Sequence, residues 1–205
     1  MKIAINLRGV SKGKSGLFTR DWKLSKNSIK EKIINCWEGH EIKLYITTYM
    51  NDEIESLLNF YEPYKYQIIE NKGQISTFVK SFDIIDSDED FIITTRFDIN
   101  FVDKISNFKI NYNKINFLFK EGTDIELGNP FVTDNIFLFP SKYKEIFLSS
   151  ILESTNENSS HMHDIYIKLM TKINENNFHF IIEDNPLNFS HENLIYELVR
   201  AKNID

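Results

Sequence analysis

Residues 91–101 read FIITTRFDINF. Phe91, Ile92 and Ile93 form an apolar run that passes through Thr94 and Thr95 into Arg96, Phe97 and Asp98. The run predicts a buried strand. A charged Arg-x-Asp pair at its end is costly unless the charges do something there, because unpaired charge at a core edge carries a desolvation penalty. In open α/β sheets, ligands bind beyond the carboxyl ends of the strands. Asp98 is therefore the first candidate for a functional carboxylate, one that holds Mn²⁺ or Mg²⁺, hard cations that prefer carboxylate and water oxygens. Alternation puts Arg96, Asp98 and Asn100 on one face and Phe97, Ile99 and Phe101 on the other. The plain alternative is an Arg–Asp surface pair on an edge strand, worth little energetically. The functional reading is preferred because the pair closes an apolar strand.

Towards the amino terminus the pattern alternates. Residues 2–7 (KIAINL), 42–47 (IKLYIT) and 66–69 read as strands. Residues 28–37, 52–61 and 74–85 carry apolar residues at helical spacing. Gly39 is a helix stop, Asn51 an N-cap candidate, and Pro63 lies beyond the second helix. Residues 8–21 predict a Gly- and Lys-rich loop. Strand–helix alternation through four strands implies parallel crossovers and a doubly wound sheet. After residue 101 the rhythm breaks. Residues 116–119, 136–139 and 178–182 read as strands, residues 141–153 and 162–173 as helices, and the tail 192–201 as a helix. Residues 120–134 read as a long polar loop, and 155–160 as a polar break. The fold class is α/β, a single domain with a nucleotide-binding half (1–101) and a mixed, acceptor-shaping half (102–205).

The chain has 205 residues, enough for one sizeable core. Its net charge of −6 argues against general nucleic-acid binding. Cys36, the single cysteine, reads as a buried structural thiol suited to a reducing, cytoplasmic compartment. The first apolar run is too short for a signal core or a membrane span. The Ile, Asn and Lys bias resembles coding by an AT-rich genome, such as that of a large virus. Only four of the 24 basic residues are arginines, and two of these, Arg8 and Arg96, follow predicted strands.

Residues 11–15 (SKGKS) resemble part of a P-loop, whose amides and lysine cradle phosphate. The full motif needs a glycine where Arg8 stands. Three readings stay open: a nucleotide kinase or NTPase, a flexible surface loop, and a cationic rim of Arg8, Lys12, Lys14 and Arg20 over a diphosphate. Arg8 is best placed, at the strand end, where a guanidinium grips phosphate bidentately. Tyr49, just past the second strand, is placed to stack on a nucleotide base.

The layout resembles GT-A glycosyltransferases, and in particular is similar to small glycosyltransferases of large DNA viruses and to bacterial sugar transferases with an Arg-x-Asp variant. The matching pieces are IAINLRG (residues 3–9), LYITTY (44–49), ITTRFDI (93–99) and DNIFLFPSKY (134–143). The resemblance implies transfer of a sugar from a nucleoside diphosphate, in the first instance UDP, to a hydroxyl of a glycan or glycoprotein. It implies that Arg8, Gly9, Arg20, Thr48 and Tyr49 hold the nucleotide, that Asp98 holds the metal, and that Arg96 balances phosphate charge. Arg96 stands where the family has its first Asp. Either Asp98 holds the metal alone, or Arg96 supplies charge itself and the enzyme needs no metal. A non-catalytic glycan-binding module is the remaining alternative.

By the same resemblance Asp134 binds a sugar hydroxyl or deprotonates the acceptor; otherwise it is a turn residue ahead of a strand. Glu121, Asp124 and Glu126 read as a solvated loop. In several GT-A families a late histidine completes the metal shell, and His163 is that candidate. Against it, His161 and His163 cannot share a helical face. His179, between two aromatics, reads as structural, and His191 as an ordinary cap-region residue.

Overall fold

The computed structural model describes residues 1–15, 18–124, 129–156, 165–182, 196–199 and 201–202. At its centre β1 (Lys2–Gly9) is flanked by β4 (Glu41–Tyr49) and β6 (Phe91–Arg96), both parallel to it. Beyond β4 lies β5 (Lys65–Ile69), also parallel. Beyond β6 lie β11 (Ile136–Pro140), β8 (Ile115–Phe117) and β12 (Phe178–Phe180). β11 pairs antiparallel with both β6 and β8, while β12 is parallel to β8. The seven-stranded sheet is thus mostly parallel, with one reversed strand in its second half, as expected of an α/β fold with a mixed carboxyl-terminal part.

Alternation along β1 explains the two cores. Ile3, Ile5 and Leu7 point to one face, packed with Ile33, Trp37, Ile46, Phe91, Ile93 and Leu138. Ala4 points to the other, with Tyr45, Phe78, Ile92, Phe137, Phe139 and Phe147. The first face is covered by α1 (Lys26–Ile29), the π-helical turn that continues it, and α2 (Ile54–Tyr61). The second is covered by α3 (Gln74–Ser81), α4 (Lys144–Asn156) and α5 (Ile165–Met170). Both helical layers are explained by apolar positions at helical spacing. Trp37 and Cys36 are buried as expected, the indole donating to Ile33 O at 2.6 Å and the thiol to Lys32 O at 3.1 Å. His179 bonds Lys109 O through Nε2 at 2.7 Å, a structural role.

Three expectations are corrected. Residues 8–21 are not a loop: β1 runs to Gly9, and β2 (Lys12–Ser15) and β3 (Phe18–Asp21) form an antiparallel hairpin. Residues 120–134 contain a second hairpin, β9 (Lys120–Asp124) with β10 (Asn129–Val132). The described part of the tail is not helical: β13 (Tyr196–Leu198) pairs with β7 (Ile99–Phe101), and β14 (Ala201–Lys202) pairs with β3. In each case cross-strand partners override weak local pattern. The candidate break at 155–160 is helical through Asn156, and its remainder lies outside the described residues. No helix among the described residues is long and apolar enough to cross a membrane.

Phe147 is fully buried, with its ring centroid 4.4 Å from that of Phe139 and 5.2 Å from that of Phe137. Phe147→Ala is expected to cost about 3–5 kcal/mol, read as a lower urea midpoint at unchanged m-value. A loss under about 1 kcal/mol, the surface-site range, would contradict this packing.

Candidate functional site

Chain order in the sheet reverses at β1: β4 and β5 lie on one side and β6 on the other. Ligand crevices form at such a switch point, outside the carboxyl ends of the strands. There Arg8 of β1 lies directly opposite Arg96 of β6 in the register. Two guanidiniums on neighbouring strand ends repel each other and lose hydration together, so the surroundings must supply negative charge.

For Arg96 they do. Its Nε and Nη2 donate to the two Asp98 oxygens at 2.9 and 2.8 Å, a bidentate pair, and Nη1 reaches the Asp134 carboxylate at 3.3 Å. Burial opposes the Arg96 charge, but Asp98 and Asp134 outweigh it and raise the guanidinium above its ordinary value. Arg20, on β3, donates through Nε to Asp98 Oδ2 at 3.0 Å. Asp98 is thus gripped by two arginines, and its side chain is 2% exposed.

Arg8 is served differently. It is 1% exposed, its Nη2 donates to the Asp134 carbonyl at 3.3 Å, and its Nε has no partner among the described residues. Its guanidinium carbon lies 4.1 Å above the Phe78 ring, a cation–π contact that offsets part of the desolvation. Burial nonetheless pushes Arg8 down to about 9, against the pull of Asp134.

These groups line a cleft of about 100 Å³, together with Gly9, Val10, Tyr49, Asn71, Gly73 and Gln74. One water needs roughly 10–15 Å³ of such space, so the cleft takes a phosphate-sized group. Gly9 and Gly73 have φ of +104° and +93°, and a Cβ at either meets nothing within 4 Å. A side chain at either position would therefore be strained and would project into open space. Gln74 opens α3 and donates through Nε2 to Asp134 Oδ2.

The carboxyl tail buttresses this site. Val199 N donates to Asp98 O at 3.0 Å. The Tyr196 hydroxyl accepts from Asn135 Nδ2 at 2.6 Å and bonds Thr133 Oγ1 at 3.1 Å, behind Asp134. The β2–β3 hairpin is anchored by Glu53, whose carboxyl Lys12 and Lys23 pull down to about 2.

Of the residues singled out in the sequence, Arg8, Gly9, Arg20, Tyr49, Arg96 and Asp98 line one cleft, and Asp134 adjoins it. Thr48 does not join them: it is buried, donating to Gly9 O at 2.9 Å and bonding Ser11 Oγ at 2.8 Å. Tyr49 bonds Thr77 Oγ1 and donates to Gly73 O at 3.3 Å. Within the SKGKS segment Lys12–Ser15 form strand β2, and Lys12 is paired to Asp52 and Glu53, so the strand–loop–helix cradle of a P-loop is not formed. His163, His161, His191 and Glu126 lie outside the described residues. Asn71, Gly73 and Gln74 were not foreseen; their one sequence signal is a glycine between a strand and a helix start.

Among the described residues, the donor set at the cleft does not fit a hard divalent cation. Asp98 is one carboxylate with both oxygens already bonded to guanidiniums, and Arg8 adds further positive charge, whereas Mn²⁺ or Mg²⁺ needs several oxygen donors. Among the described residues, the one cluster of three or more metal-type ligands is Asp86, Asp88 and Glu89. It precedes β6, at the opposite end of that strand from the cleft, and is ion-paired to Lys2, Lys43 and Lys65.

No family model and no curated protein matches the sequence. Solved structures similar to it include the apo-form glycosyltransferase GlyE of Streptococcus pneumoniae TIGR4, at 9% identity and TM-score 0.48. That match covers 89% of this chain and 45% of the other, so the chain spans under half of GlyE's length. The 4-diphosphocytidyl-2C-methyl-D-erythritol synthase of Anaerococcus prevotii DSM 20548 is similar at 12% identity and TM-score 0.47, covering 83% of this chain and 82% of that one. At these values neither structure bears on chemistry, and the site rests on its own geometry.

Arg96→Leu leaves two buried carboxylates without their shared partner and is expected to cost about 3–5 kcal/mol in urea denaturation. A loss below about 1 kcal/mol, the range of exposed pairs, would show that the pair is solvated.

Proposed function

We propose that the chain transfers a sugar from a nucleoside diphosphate donor, a UDP-sugar in the first instance, to a hydroxyl of a glycan or glycoprotein. The observation that carries this reading is the register pairing of Arg8 and Arg96 at the switch point, lining a phosphate-sized cleft. A fixed cluster of guanidiniums suits a diphosphate that departs with growing negative charge.

In this reading the acceptor hydroxyl oxygen attacks the anomeric carbon. The bond from that carbon to the diphosphate oxygen breaks, and its electron pair leaves with the nucleoside diphosphate. The hydroxyl proton passes to a carboxylate, the role given to Asp134, beside the cleft and oriented by Arg96 and Gln74. Arg96 and Arg8 offset the leaving-group charge. The base and sugar extend out of the cleft, whose lining also includes Tyr49 and Asn71. Mn²⁺ or Mg²⁺ has no step in this reading, because the donor set of the described residues does not fit it.

A panel of UDP-, GDP-, CDP- and dTDP-sugars, offered with mixed glycan acceptors in MnCl₂ and in EDTA, tests the proposal through nucleoside diphosphate release. At least one donor is expected to turn over. Arg96→Ala is expected to slow it about 10²–10³-fold, the worth of one donor aimed at developing charge. Silence across the panel in both conditions would overturn the reading and leave a non-catalytic module.

A further inference from the structure

We propose that the cleft is a metal-free diphosphate seat, built from Arg8, Arg20, Arg96 and the open amino end of α3, in which Asp98 is an internal counter-ion that the ligand displaces from Arg20. The inference deepens the transferase reading and rests on it for the origin of the diphosphate, not for the seat itself.

The base of the seat is Arg8. Its side chain is buried, lines the cleft and keeps an unpartnered Nε. Leaving a buried donor unmade costs about 1–3 kcal/mol, more when the group is charged. An anion in the cleft brings the Arg8 guanidinium the negative charge that the Asp134 carbonyl lacks.

The second wall is α3. Its N-cap is Gly73, no side chain caps its first amides, and its first turn holds no acidic residue. A helix start of this kind presents backbone N–H groups and a positive dipole end to an anion. Gly73 and Gly9 keep this approach free of side chains.

Asp98 links the seat to its resting state. It bonds Arg96 through two parallel contacts and Arg20 through one. The Arg20 side chain is 17% exposed against 10% for Arg96, so Arg20 is the partner nearer to solvent and to an entering anion. Arg96 is held at both ends, by Asp98 and Asp134. A diphosphate therefore competes with the Asp98 carboxylate for Arg20, whereas a metal would have to displace two guanidiniums from the same carboxylate. The two readings give Asp98 opposite signs: removing its charge abolishes metal-dependent binding and strengthens binding to an arginine seat.

The test is calorimetric titration of the whole chain with sodium pyrophosphate, UDP and UDP-glucose, each in EDTA and in MnCl₂. Pyrophosphate is expected to bind in EDTA. Asp98→Asn is expected to tighten it on the order of tenfold, because a like charge a few ångströms away is removed. Arg8→Gln is expected to weaken it about tenfold or more, the worth of a lost charge-assisted bond. Arg8→Lys, which keeps the charge but loses the fork, stands in if the glutamine variant does not fold. Pyrophosphate binding that requires Mn²⁺, or that is lost in Asp98→Asn, overturns the seat while leaving the transferase reading standing. Metal-free pyrophosphate binding with no affinity for UDP or UDP-glucose supports the seat and counts against a UDP-linked donor.

Discussion

Two arginines side by side at the ends of neighbouring parallel strands are the constraint on which this site depends. Arg8 and Arg96 are register partners, so sheet hydrogen bonding fixes their backbones next to each other. Burying a guanidinium costs several kcal/mol even after relaxation. The rest of the site answers that cost unequally. Arg96 receives two carboxylates, and Arg8 receives a carbonyl and a phenyl face. The asymmetry gives the cleft its chemistry, because the incompletely matched charge lies on the cleft wall.

Much of the fold follows from that arrangement. Asp134 reaches Arg96 because β11 pairs antiparallel with β6 and begins at Ile136, opposite Thr95. Thr95 Oγ1 donates to Asn135 O at 2.9 Å and fixes the turn. Arg20 reaches Asp98 because the β2–β3 hairpin folds back towards β1, held by Lys12 and Lys23 on Glu53. The tail adds a further tie through Val199 and Tyr196. Four separate chain segments thus meet at one strand end.

The central strands were legible because they are continuous apolar runs, as buried parallel strands are. The Arg-x-Asp ending of β6 was legible for the complementary reason, charge where the run predicts none. The hairpins were not, since KGKS and KEGTD are polar and Gly-containing and gain their strand character from a partner. The tail was misread because ENLIYELV has apolar spacing that suits a helix, whereas Tyr196 and Leu198 are held by pairing with β7, nearly a hundred residues earlier. Contacts such as Arg20 to Asp98, 78 residues apart, have no local signature at all.

In the proposed reading, an arginine at position 96 changes how a diphosphate site handles charge. A carboxylate pair holding a dication and a guanidinium cluster holding an anion both place positive charge against a diphosphate. They differ in what the resting site must do with that charge. A metal site can bind its cation along with the donor, so the resting protein carries an acidic pair that water solvates. An arginine site carries its positive charge permanently, because guanidinium does not deprotonate under ordinary conditions. It therefore needs a counter-ion of its own when no ligand is bound. Asp98 occupies that position, joined to Arg96 and Arg20, and Asp134 completes the neutralisation on the far side of Arg96. In this reading the partner of the Asp98 carboxylate is not a cation that arrives with the substrate but one the fold already holds.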